Sequence, residues 1–149
     1  MRFCFVVLVA GFFDMLDGAL ARHTNQASRF GGILDSTLDR AAEAVVLLGI
    51  VTFYVLNPAE SSVAVVLLAS VAMIGSFLVS YVRARMEATG LKCKVGLFTR
   101  TERVIVLALG LLLSPINYAL ITALAIIVFF SFFTVGQRLI ETWHQTRVS

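Results

Sequence analysis

Five apolar runs dominate the chain: Phe3–Phe13, Ile33–Leu56, Val63–Val82, Val104–Leu113 and Tyr118–Val135. They are separated by a polar segment Arg22–Gly32, a turn Asn57–Ser62, a basic segment Arg83–Arg103 and the turn Ser114–Asn117. A membrane-crossing helix needs about 20 apolar residues, and the runs predict five such helices. Threaded alternately through a bilayer, they put Arg22–Gly32, Arg83–Arg103 and the C-terminus on one side. Eleven of the twelve Lys and Arg residues then share that side and only Arg2 lies opposite. The positive-inside rule makes the basic side cytoplasmic. The predicted architecture is an all-α integral membrane protein, a polytopic transmembrane helix bundle with five visible spans in the cell (inner) membrane.

Two of the runs are too short, and the shortfall is informative. Val104–Leu113 covers ten residues, about 15 Å of helix against a hydrocarbon core of about 30 Å. To span, its helix must begin near Gly96 or Leu97, which draws Arg100, Glu102 and Arg103 towards membrane depth. By the same reasoning the first helix must continue beyond Phe13 through Asp14 and Asp17 to about Ala21. Ile33–Leu56 is long enough but carries Asp35, Asp39 and Glu43 in helical register with the rest. Each such charge costs about 2.5–3.5 kcal/mol at a helix centre and less near the interface, so ionisable groups at this depth point to function.

Composition removes the other classes. In 149 residues, 59% are hydrophobic and 14% charged, and the mean hydropathy is +0.93. Soluble domains average about 45–50% apolar and about 25% charged. A disulfide scaffold and a nucleic-acid-binding module are excluded, the net charge of +3 being topological. The length leaves no room for a separate soluble domain, so residues 1–149 are read as one transmembrane domain.

The aspartates carry the candidate chemistry. The chain has four, Asp14, Asp17, Asp35 and Asp39, all within one window of 26 residues. Asp14 and Asp17 are spaced i,i+3 and Asp35 and Asp39 i,i+4, so each pair shares a helix face. The short Arg22–Gly31 connection makes the two helices antiparallel neighbours, and the four carboxylates can meet at their cytoplasmic ends. Clustered carboxylates repel unless protonated or neutralised, and hard divalent cations, Mg²⁺ or Mn²⁺, suit oxygen ligands. Four carboxylates fit two ions, the usual apparatus for displacement at phosphorus. Gly18 and Gly31 flank the cluster where backbone could approach a ligand, and Arg22 can reach a phosphate. The competing reading is an acid-lined cation or proton transporter, although transporters place such acids near the bilayer midplane on broken helices.

The series Asp14-x2-Asp17-Gly18-x2-Ala21-Arg22-x8-Gly31-x3-Asp35-x3-Asp39 resembles the signature of the CDP-alcohol phosphotransferase family of membrane enzymes. The resemblance implies that Asp14, Asp17 and Asp35 hold two divalent cations, and that Asp39 also contacts metal and is the general base. It implies that Gly18, Ala21, Arg22 and Gly31 line the cytidine nucleotide. The implied reaction is attack of an alcohol hydroxyl on the lipid-linked phosphorus of a CDP-linked lipid, CDP-diacylglycerol or CDP-archaeol, with release of CMP. Six helices and a homodimer are usual in the family, so the chain is expected to lack the first helix and to be N-terminally truncated.

Outside the motif, Ser80–Glu87 and Thr101-Glu102-Arg103 look like the prokaryotic and archaeal branch that makes inositol-phosphate phospholipids. The expected acceptor is therefore inositol phosphate, with glycerol 3-phosphate as the alternative. Arg83, Arg103 and Arg138 are the candidates for its phosphate, being cytoplasmic-end arginines similar to that branch's basic positions. Glu87 and Glu102 are expected to pair with neighbouring arginines. Lys92 and Lys94 read as headgroup contacts and Trp143 as an interface anchor. Cys4 and Cys93 fall on opposite sides of the membrane, and His23 and His144 stand alone.

Overall fold

A computed structural model of the chain describes residues 29–57, 62–91, 96, 98–114 and 118–148. These residues form four helices: α1 (Arg29–Leu56), α2 (Val63–Ala88), α3 (Arg100–Leu112) and α4 (Ala119–Val148). The chain divides into two compact units, Met1–Gly49 and Ile50–Ser149, and the boundary falls inside α1. The first apolar run, Phe3–Phe13, lies outside the described residues.

In the first unit, the described part of α1 starts at Arg29, ahead of the apolar run at Ile33. Gly31 and Gly32 are therefore helical, although each costs about 1 kcal/mol relative to alanine. Three side chains bond back to carbonyls of the preceding turn. The Ser36 and Thr37 hydroxyls donate to the Ile33 carbonyl, at 3.0 and 2.8 Å, and the Arg40 guanidinium donates to the Ser36 carbonyl. One side of α1 is less exposed than the rest, and it runs through Asp39, Glu43 and Leu47.

The second unit is organised around α4, which packs against both α2 and α3. The buried face of α2 is built largely of small residues: Ala69, Ala72, Gly75 and Ser76, with Val65, Val79 and Met86. Small residues let helix backbones approach where lipid offers no hydrophobic drive to association. A Cβ on Gly75 would stand 3.1 Å from the Ser131 Cβ of α4, and one on Gly110 of α3 would overlap the Cβ of Ala123. Both close approaches depend on glycine.

The helix ends are specified locally. At the end of α2, Gly90 takes φ +80°, its N–H reaches the Glu87 carbonyl, and the Leu91 N–H reaches the Met86 carbonyl. That is a Schellman stop, which favours glycine at the left-handed position. At the start of α3, Thr99 and Glu102 form a capping box, the Glu102 carboxylate accepting the Thr99 N–H. α3 thus begins at Arg100, later than the start near Gly96 or Leu97 that a full span requires. The reason is local: Gly96 has φ +142°, far from helical, and the capping box fixes the first turn three residues further on.

Among the described residues, two helices, Val63–Ala88 and Ala119–Arg147, are long and apolar enough to cross a membrane. Their 26 and 29 residues give about 39 and 43 Å of helix. Only 33% of each apolar stretch is buried, whereas a soluble core helix hides most of its surface. Phe129, Phe133, Leu139 and Ile140 of α4, and Leu67, Ile74 and Phe77 of α2, face outward. Exposed apolar surface on this scale belongs against lipid. The architecture is all-helical and of membrane type, with two of the five expected spans standing on their own length; α3, at 13 residues, does not.

Candidate functional site

Asp35 and Asp39 lie one turn apart on α1, so their carboxylates share a face. Asp35 is exposed and Asp39 is half-buried. Gly31 sits a further turn towards the N-terminus on that face. Glu43, one turn beyond Asp39, extends the acidic row into the buried side of the helix. Asp14, Asp17, Gly18, Ala21 and Arg22 lie outside the described residues, so the structure places one half of the aspartate quartet and one of the four expected nucleotide-lining residues. Hard carboxylate oxygens in i,i+4 register are the donor set a divalent cation takes.

The basic candidates differ sharply among themselves. Arg103 and Arg138 are 2% and 5% exposed, on the packed helices α3 and α4. Arg83 is exposed near the end of α2, where its Nε donates to the Glu87 carboxylate at 2.9 Å. Glu87 therefore pairs with an arginine as expected, and Glu102 caps its helix while also interacting electrostatically with the neighbouring Arg103. Arg138 Nη1 donates to the Val79 carbonyl of α2 at 2.6 Å, a bond that ties the guanidinium across the α2–α4 contact. Arginine is effectively always charged, so two buried guanidiniums concentrate positive charge inside the second unit.

The same face of α4 holds polar groups that sequence reasoning passed over. Ser131 and Thr134 are fully buried, two turns and one turn before Arg138 respectively. Six other helical hydroxyls, those of Ser36, Thr37, Ser70, Thr122, Thr142 and Thr146, donate to carbonyls of the preceding turn. Ser131 Oγ and Thr134 Oγ1 have no partner among the described residues. The signal was present in the spacing 131, 134, 138, which puts two hydroxyls and a guanidinium on one stripe within an apolar helix. Upstream, Phe98 is buried and stacks on Phe130 of α4 with ring centroids 5.3 Å apart, pinning the segment before α3 to α4.

The family model for CDP-alcohol phosphatidyltransferase matches residues 1–138. The chain belongs to that family. It is 35% identical over 144 residues to the archaetidylinositol phosphate synthase of Methanothermobacter thermautotrophicus, covering 95% of this chain and 70% of that protein. It is 39% identical over 140 residues to the phosphatidylinositol phosphate synthase of Mycobacteroides abscessus, covering 92% of this chain and 61% of the relative. The fold is similar to that of the Mycobacterium tuberculosis phosphatidylinositol phosphate synthase crystallised with CDP-DAG bound. That comparison has a TM-score of 0.76 and 32% identity, over 89% of this chain and 68% of the other. The same mycobacterial enzyme is known in complex with manganese and citrate, and its TM-score to this chain is 0.74 at 32% identity, over 89% of this chain and 65% of the other. The chain thus spans about two thirds of the length of these relatives.

Proposed function

We propose that this protein transfers the phosphatidyl or archaetidyl group of a CDP-linked lipid to an inositol phosphate, releasing CMP. The observation that carries the acceptor is the burial of Arg103 and Arg138 in adjacent packed helices, a cationic interior suited to a phosphorylated substrate. It agrees with the names of the relatives, which are synthases of inositol-phosphate lipids.

In this reading Asp14, Asp17, Asp35 and Asp39 hold two divalent cations, Mg²⁺ or Mn²⁺. When bound, the ions supply polarisation of oxygen at the reacting phosphorus and neutralise the diphosphate. Gly18, Ala21, Arg22 and Gly31 bind the nucleotide of CDP-diacylglycerol or CDP-archaeol. Asp39 accepts the proton of the acceptor hydroxyl as that oxygen bonds to the lipid-linked phosphorus and the bond to the CMP oxygen breaks. Arg83, Arg103 and Arg138 orient the acceptor through its own phosphate. The chain works as one transmembrane domain of five visible spans in the cell membrane, as a homodimer, with the site towards the cytoplasm. Eleven of its twelve Lys and Arg on that side support the orientation.

The test is CMP release from a CDP-lipid with Mg²⁺ or Mn²⁺, across a panel of inositol phosphate, inositol and glycerol 3-phosphate. Turnover is expected with inositol phosphate and metal, and its loss on chelation. Preference for glycerol 3-phosphate would overturn the acceptor, and no CMP release with any acceptor from folded protein would overturn the activity.

A further inference from the structure

Gly96 stands directly against the Arg138 guanidinium. A Cβ at position 96 would lie 2.6 Å from Nη2, 3.0 Å from Nε and 3.2 Å from Cζ of Arg138. Its φ of +142° is, besides, a conformation that residues with a side chain rarely adopt. On the other side the same guanidinium is held by its Nη1 bond to the Val79 carbonyl. Two residues after Gly96, Phe98 is stacked on Phe130 of α4. A long, rotatable arginine is thereby seated between two pieces of backbone, Gly96 and Val79, neither of which needs a side chain to hold it.

We infer that Gly96 is a positioning residue for the acceptor: by leaving room for the guanidinium at this one place, it sets where Arg138 presents its charge. This rests on the reading of Arg138 as a ligand of the acceptor phosphate. Binding sites gain from groups whose geometry is set before the ligand arrives, and a displacement of about 1 Å is enough to lose much of the gain. The three atoms nearest a methyl group at position 96 all belong to the far end of a flexible side chain, so the guanidinium moves aside while the helices stay packed. The effect belongs to acceptor affinity and not to nucleotide or metal binding.

The experiment is a double-mutant cycle on the full chain in lipid nanodiscs, using Gly96→Ala, Arg138→Lys and the pair, with inositol phosphate and CDP-lipid varied in turn. Gly96→Ala is expected to raise the KM for inositol phosphate on the order of tenfold, with kcat at saturation and the KM for CDP-lipid within about twofold of the starting protein. In the Arg138→Lys background the atom nearest the added methyl, Nη2, is gone and the remaining chain end is free to turn, so the same alanine should change the acceptor KM less than about twofold. An equal effect in both backgrounds overturns the proposal. Should Gly96→Ala alone fail to fold, recovery of folded protein in the pair supports the clash with the guanidinium, and failure of both assigns the glycine to backbone conformation only and overturns it. Arg138→Ala serves as the separate control. If it leaves the acceptor KM unchanged, the phosphate-ligand reading itself falls, and the inference about Gly96 falls with it.

Discussion

Asp39 has two demands placed on it in the proposed reaction, and they are separable by substitution. Asparagine keeps the size and an oxygen donor but cannot take a proton, so Asp39→Asn should lower kcat by about 10²–10⁴-fold. Single-turnover measurement of CMP release checks this, and near-normal turnover would assign the base elsewhere. The arginines sort by burial. Truncating a buried charged hydrogen-bonding group costs about 1.5–3 kcal/mol, which is roughly 10–150-fold in affinity. Arg103→Ala should therefore raise the KM for inositol phosphate by that order, whereas Arg83→Ala, exposed and tied to Glu87, should change it by less than about fivefold. Equal effects at positions 83 and 103 would show that burial is not what matters. The sequence made all three arginines equivalent because their spacing along the chain reports membrane depth and not which side of the helix is covered. Only packing separates Arg103 from Arg83. The acids were more legible, since i,i+4 register on a helix follows directly from numbering, and Asp35 and Asp39 do share a face of α1.

Helix pairing in the second unit depends on absent side chains, and this yields a stability test. Gly110→Ala introduces a Cβ that overlaps the Cβ of Ala123, and overpacking of this kind costs about 1–3 kcal/mol. Thermal unfolding in detergent should show the loss, and Ala123→Gly in the same chain should restore it. Additive destabilisation in the double variant would mean that the two positions do not touch. The four described helices were readable from the apolar runs, because continuous apolar stretches define membrane helices without any need for periodicity. Their ends were less so. α4 runs on through polar residues to Val148, past the end of its apolar run at Val135, with Gln145 donating to Glu141 at 2.7 Å along its flank. The start of α3 is decided by a capping box and a glycine φ, and length arithmetic about bilayer thickness is blind to both.

Charge distribution predicts an orientation that labelling can check. Asn57 and Glu87 are exposed near opposite ends of the connection that α2 makes, and α2 is about 39 Å long. With the native cysteines replaced, a cysteine at position 57 should react with an impermeant maleimide from outside intact cells. One at position 87 should react only in inverted vesicles. The reverse pattern would invert the proposed topology and put the aspartates outside.

Near the C-terminal end of α4, Arg147 lies over the ring of Trp143, 4.5 Å from its centroid, and both side chains are exposed. Trp143 is the only tryptophan in the chain. Ultraviolet excitation therefore reports a single known site, with no background from other indoles. Quenching by bromines placed at graded positions along the acyl chains gives that site's depth in a vesicle, and titrating anionic headgroups against zwitterionic ones reads the charge beside it. In the proposed topology this optical ruler stands at the boundary where the two substrates, one dissolved in lipid and one in water, have to meet.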